Sequence, residues 1–139
     1  TYNKIDFYDD YAHHPTEIKV VLEGVGQVYK GYDKVCIFQP HRISRLKDLR
    51  KEFSFAFKGA DLVILCPIFT AGEKIKLGFN YLTFAKEIIR NSKVKLFLVN
   101  DNNHLAKFLK KNMYGKKIVI GMGAGSISNW IRRLPELMQ

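Results

Sequence analysis

Cysteine is scarce in this chain: Cys36 and Cys66 are the only two in 139 residues. They have no CxxC partner and no metal-ligand spacing, and a zinc site would need more Cys or His at close spacing. Each falls in a predicted apolar strand, so buried free thiols in a reducing compartment are expected. Long apolar runs are missing too; none approaches the roughly 18 residues that a membrane span requires. The N-terminus carries neither the basic nor the apolar region of a signal peptide. It also lacks Met, so residue 1 need not be the natural start.

Acidic residues are the minority charge, with 13 Asp and Glu against 23 Lys and Arg and a net charge of +10. Such an excess suits anionic partners, nucleic acid included. The lysines, however, are scattered, and the one tight cluster is Lys110-Lys111 with Lys116-Lys117. No stripe of exposed aromatics alternates with them, as a single-strand binder would require. Most of this charge is read as solvated helix faces, and neither a nucleic acid nor a membrane partner is expected.

Familiar catalytic signatures are absent as well. There is no phosphate-cradling P-loop (GxxxxGK followed by Ser or Thr) and no placeable Ser/His/Asp or Cys/His arrangement. Gly121-Met122-Gly123-Ala124-Gly125-Ser126 lacks full GxGxxG spacing and comes at the end of the chain. No acid follows about 20 residues later, which argues against a dinucleotide fingerprint. The run could receive an anion at a helix N-terminus, or simply form a tight turn that packs helix on strand.

What is present is a regular alternation. The balance of 47% hydrophobic and 26% charged residues is ordinary for a soluble domain, and the length suits one domain with a real core. Strands are predicted at residues 5–8, 35–38, 62–65, 94–99 and 118–120. Pro15 suits a first helical turn, and the helix it opens carries Ile18, Val21, Leu22, Val25 and Val28 at helical spacing. Gly24 and Gly26 in it suggest close packing on the sheet, and Gly31 an end signal. A second helix carries Leu46, Leu49, Phe53, Ala56 and Phe57. A third, over about residues 79–90, presents Leu82, Ala85, Ile88 and Ile89. A short helix with Leu105, Phe108 and Leu109 and a last one with Ile127, Trp130, Ile131 and Leu134 complete the pattern. This predicts an α/β, Rossmann-like single domain: a mostly parallel sheet with helices on both faces. Ligands of such sheets bind outside the carboxyl ends of the strands.

Three polar runs fall at that edge. Asp9-Asp10-Tyr11-Ala12-His13-His14 follows the first strand. A carboxylate there can accept from ribose hydroxyls, or can serve as a helix cap; imidazole adds a donor, an acceptor and a stacking face. His41, Arg42 and Arg45 open the second helix. Two arginines three apart share a helical face, and guanidinium forks grip carboxylate or phosphate with paired bonds. Ala71-Gly72-Glu73-Lys74 follows the third strand and carries the weakest signal. The edge reads as half a site, completed by something else.

In order along the chain, Asp9-Asp10-Tyr11-Ala12-His13-His14-Pro15-Thr16-Glu17, Gln39-Pro40-His41-Arg42-Ile43-Ser44-Arg45, Ala71-Gly72-Glu73-Lys74 and Gly123-Ala124-Gly125 resemble the Mur ligase family. Within it they are most similar to the branch that joins L-alanine to UDP-N-acetylmuramate in peptidoglycan synthesis. The resemblance spans essentially the whole chain; the first two motifs are highly specific and the last two are supporting. It implies the C-terminal domain only, without the N-terminal UDP-binding and central ATPase domains. The implied reaction is ATP-dependent amide formation in the cytoplasm, through an acyl phosphate of the lactyl carboxylate.

By that resemblance Asp10, Tyr11 and His13 line the nucleotide side of the cleft, and His41, Arg42 and Arg45 face the substrate and hold the L-alanine carboxylate. Ala71, Gly72 and Glu73 form a cleft loop. ATP and Mg2+ are held mainly by the missing central domain, so no metal ligand and no catalytic residue is assigned here, and the isolated domain is expected to be inactive. Gly125-Ser126 departs from a family in which an acid often follows that glycine, and Ser126 receives no role. The recycling branch, which attaches a tripeptide to the same UDP-sugar, shares the first motif; Tyr11 and His41-Arg42-Ile43-Ser44-Arg45 favour the L-alanine branch. A non-catalytic, basic nucleotide- or nucleic-acid-binding module is the rival of another class, and a stand-alone Rossmann-type oxidoreductase is disfavoured by the glycine spacing.

Overall fold

The computed structural model describes residues 5–10, 12–68, 80–112, 115–123 and 125–138. Strands β1 (Ile5–Asp10), β2 (Asp33–Phe38), β3 (Leu62–Leu65), β4 (Lys95–Leu98) and β5 (Lys117–Met122) form one sheet in the order β1-β5-β2-β3-β4. Every pairing is parallel. Helices α1 (Pro15–Val28), α2 (Ile43–Asp48), α3 (Arg50–Ser54), α4 (Tyr81–Ser92), α5 (Asn102–Asn112) and α6 (Ile127–Leu137) connect or follow them.

Side chains alternate across each strand, and the alternation divides the core in two. Cys36, Phe38, Val63, Leu65, Ile118, Ile120 and Met122 pack beneath α1, α2, α3 and α4. Val35, Ile37, Ile64 and Val119 face the other way, against α5 and α6. The first layer is centred on aromatics: the Phe38 ring lies 5.5 Å from Phe53 and 5.3 Å from Phe57. Each such fully buried side chain contributes about 1.5–3 kcal/mol relative to exposure. Buried Ser54 and Ser92 in that layer are satisfied by one another's helices, Ser92 Oγ donating to the Ser54 carbonyl at 2.6 Å.

The α/β class and the two-sided sheet agree with expectation, but several local features differ. β1 does not stop at the acids: Asp9 and Asp10 continue the strand, in register with Gly121 and Met122. The second helix is two short ones, broken at Leu49 (φ −112°, ψ 22°). The break keeps Leu46, Phe53 and Phe57 all buried; helices this short draw their stability from packing rather than propensity. In α1, Val28 is exposed. A Cβ at Gly24 would touch nothing and one at Gly26 only the Lys34 side chain at 3.9 Å, so neither glycine serves sheet packing. In α4, Phe84, Ala85, Ile88 and Ser92 are buried while Leu82 and Ile89 are exposed. Those two lie about a quarter turn round from the buried stripe.

Gly121 does have a packing role. A Cβ there would lie 2.3 Å from Ile131 Cγ1 and 2.7 Å from its Cδ1. Ile131 is buried in α6, and its β-branched side chain has little rotamer freedom in a helix. We predict that Gly121→Ala destabilises the domain by about 1–3 kcal/mol, the usual cost of overpacking, read as a lowered urea midpoint at unchanged m-value.

Candidate functional site

β5 enters the sheet between β1 and β2, so the exits of these three strands lie side by side at the carboxyl edge. The chain leaves β1 and β2 toward one face and β5 toward the other. Divergence of this kind makes the crevice in which open parallel sheets bind ligands.

At the β1 exit the acidic and imidazole residues separate into different tasks. Asp9 accepts from the Ser128 hydroxyl and so ties the strand to α6. Asp10 Oδ1 accepts the Ala12 N–H at 2.9 Å, turning the chain tightly after the strand. His14 is the N-cap of α1: its Nδ1 accepts the Thr16 N–H at 3.4 Å. Glu17 Oε1 accepts the N–H of His14 at 3.1 Å and of His13 at 3.3 Å. This is a capping box with His in the place of Ser or Thr. His13 is half-buried and turned instead toward the β2 exit, where its ring lies 6.1 Å from that of His41 in an edge-to-face arrangement.

At the β2 exit the first residue is Gln39, which is 3% exposed. Its Oε1 accepts the Ile127 N–H at 3.0 Å and its Nε2 donates to Ser126 Oγ at 2.9 Å. The N-terminus of α6 therefore already has an acceptor supplied by the protein, and Gly121 and Gly123 pack tightly beside it. Gly123 sits at φ +151°, and a Cβ on it would lie 2.8 Å from the Gln39 carbonyl oxygen. His41 is half-buried and Arg42 exposed.

Arg42 does not share a helical face with Arg45. It precedes α2 at φ 70°, ψ 130°, and only Arg45 is helical. A non-glycine residue at positive φ stores about 1–3 kcal/mol and persists only where its surroundings over-determine it. Arg45 is half-buried, and its Nη1 is buried with no hydrogen-bond partner among the described residues. A buried guanidinium nitrogen without a partner is costly, and a bound carboxylate would supply one.

The structure thus brings His13 and His41 together, with Asp10 two strands from the β2 exit, roughly 10 Å away. Tyr11, Ala71, Gly72, Glu73 and Lys74 lie outside the described residues. No group of three or more His, Cys, Asp and Glu among the described residues is arranged to hold a metal. Cys36 and Cys66 are buried free thiols. Burial pushes Cys66 up to about 12 and Cys36 higher still, so neither is a nucleophile at neutral pH. Gln39 is the residue that motif reading passed over: its position in the polar run could have drawn attention, but its partners in α6 are 87 and 88 residues away.

The capping box has a pH signature. The His13 N–H, and after it the His14 N–H and both imidazoles, hold the Glu17 carboxyl below its usual value, against a partial opposing effect of burial. A carboxyl lowered in the folded state contributes stability that is complete above its unfolded value and fades as pH falls through the folded one. Glu17→Gln should therefore lower Tm at neutral pH, and the difference from wild type should shrink as the pH drops below the ordinary carboxylate range. A Tm difference independent of pH would overturn this assignment.

Comparison with known proteins agrees with this geometry. A family model described as "Mur ligase, glutamate ligase domain" matches residues 1–125. The chain is 67% identical over 138 residues to a UDP-N-acetylmuramate–L-alanine ligase of Pelagibacter ubique, covering 99% of this chain and 30% of that protein. Among solved structures it is similar to the UDP-N-acetylmuramate–alanine ligase of Thermotoga maritima, with TM-score 0.74 and 25% identity over 96% of this chain and 26% of that one. It also shares its fold with a murein peptide ligase of Psychrobacter arcticus, with TM-score 0.76 and 17% identity, covering 99% of this chain and 28% of that one. The chain spans between about a quarter and a third of the length of the relatives it matches. Parallel sheet, polar carboxyl edge and family match coincide: this chain belongs to the Mur ligase family, as its C-terminal domain.

Proposed function

We propose that this chain is the C-terminal domain of an ATP-dependent ligase that joins L-alanine to UDP-N-acetylmuramate, and that its carboxyl edge forms one wall of the active site. The observation that carries this reading is the gathering of His13, His41, Arg42 and Arg45 at one strand edge in a chain so similar to an L-alanine ligase. The rest of such a protein would supply the UDP-sugar site, the ATPase site and the Mg2+ ligands. The domain alone is then inactive, and the whole enzyme works in the cytoplasm. Among the described residues no helix is long and apolar enough to cross a membrane.

In this reading ATP is the substrate that activates the lactyl carboxylate, and this domain's residues bind and orient. Arg45, whose Nη1 has no hydrogen-bond partner among the described residues, and Arg42, which precedes its helix, grip the carboxylate of L-alanine and aim its amine at the activated carbonyl. His41 borders that pocket. Asp10 keeps Oδ1 for the Ala12 N–H and offers its other oxygen to a nucleotide hydroxyl. His13 borders the same side, where the family resemblance also assigns Tyr11, and the resemblance assigns Ala71, Gly72 and Glu73 to a cleft loop. Closing this edge onto the ATPase domain would exclude water from the acyl phosphate.

The test is ADP release by the full-length protein with ATP, Mg2+, UDP-N-acetylmuramate and either L-alanine or the tripeptide. Release that depends on L-alanine is expected. Release with tripeptide alone would move the protein to the recycling branch, and release with neither would favour a basic nucleotide-binding module.

Two kinetic outcomes follow for the same protein. Arg45→Ala and Arg42→Ala should each raise KM for L-alanine about 10- to 100-fold, as expected for a hydrogen bond to a charged group; unchanged values in both would remove the carboxylate clamp. Asp10→Asn keeps the acceptor for Ala12 but loses the charge, and should raise KM for ATP while leaving that for L-alanine alone.

A further inference from the structure

Gln39 does more than fill space beneath the edge. Its backbone N–H donates to the Met122 carbonyl at 3.0 Å. Its side chain joins Ser126 and Ile127 at the start of α6. Its carbonyl oxygen lies so close to Gly123 that a Cβ there would stand 2.8 Å from it. Residue 39 is therefore held against the β5 exit from three directions. Among the described residues, only Ser54 and Ser92 are comparably buried polar side chains, and both lie in the α3–α4 packing.

Only Pro40 and His41 separate this anchor from Arg42. Pro40 has a fixed φ and no N–H, so little slack lies between them. Arg42 then adopts positive φ and leads directly into α2, its carbonyl accepting the Leu46 N–H at 3.3 Å. A strained turn of this kind needs both ends held. α2 holds one end and Gln39 holds the other.

We propose that Gln39 is a positioning residue. Its side-chain amide clamps the β2 exit to the N-terminus of α6 and so sets the place and backbone conformation of the His41–Arg42 turn at the amino-acid side of the site. The kinetic half of this inference rests on the ligase reading; the clamp itself does not.

The experiment compares wild type, Gln39→Met and Gln39→Glu in the full-length protein. Met keeps the length and loses both bonds. Glu keeps an acceptor for the Ile127 N–H and can accept from the Ser126 hydroxyl, and a carboxylate is favoured at a helix N-terminus. Hydrogen exchange at the amides of residues 41–45 should speed up in Gln39→Met and stay near wild type in Gln39→Glu, with the rest of the sheet unchanged. KM for L-alanine should rise at least about tenfold in Gln39→Met, with KM for ATP within about twofold of wild type, because small misplacements of a positioning group act on the ligand it positions.

Unchanged exchange at residues 41–45 in Gln39→Met would overturn the clamp. So would losses of L-alanine and ATP affinity that move together, in step with a general fall in Tm. A wild-type protein without L-alanine-dependent ADP release would sink the ligase reading alone, because the exchange measurement would still decide the role of Gln39.

Discussion

The insertion of β5 between β1 and β2 is the constraint on which the rest depends. β5 pairs with Ile5–Asp10 on one side and with Asp33–Phe38 on the other. β1 and β2 do not pair with each other, and their exits are held two strand spacings apart by a strand that arrives more than a hundred residues after β1 begins. Such non-local parallel pairing has to overcome loop-closure entropy before it gains anything. The gain comes from burial: Ile118, Val119, Ile120 and Met122 are all essentially inaccessible. Gly121 interrupts that row because α6 crosses the strand there, with Ile131 occupying the space of a side chain. α6 could not lie so close over a bulkier residue, and its N-terminus would no longer meet Gln39.

The polar edge divides into residues that hold the protein and residues left for a ligand. His14 and Glu17 cap α1, Asp9 ties β1 to α6, and Gln39 ties β2 to α6. These side chains satisfy backbone and hydroxyl groups that would otherwise be orphaned at helix starts. Against that background His13, His41, Arg42 and Arg45 stand out, because they combine charge or imidazole chemistry with an edge-to-face ring pair, a strained backbone at Arg42 and, at Arg45, a buried nitrogen with no hydrogen-bond partner among the described residues. The two cysteines and the large phenylalanine cluster lie beneath this edge in apolar surroundings and serve stability.

Motif density pointed to the carboxyl edge of the sheet, and for a clear reason. Polar runs that interrupt an apolar strand pattern can lie only where the strand leaves the core. The finer reading failed where neighbours in sequence take different roles. His13 and His14 look equivalent in the chain, yet one caps a helix and the other meets His41 across the edge. Arg42 and Arg45 have helical spacing, but positive φ at Arg42 removes it from the helix. Gly24 and Gly26 looked like packing glycines and are not, whereas Gly121 is.

By itself the sequence determined the class of fold, the approximate positions of the strands, most of the apolar stripe residues and the polar character of the carboxyl edge. All of these follow from local periodicity, burial preference and composition, which act between residues close in the chain. Only the tertiary structure decided the strand order, the passage of α6 over Gly121, the clamp from Gln39 to Ser126 and Ile127, and the meeting of His13 with His41. These depend on contacts between segments far apart in sequence, and no local pattern encodes which distant backbone N–H a buried amide will find.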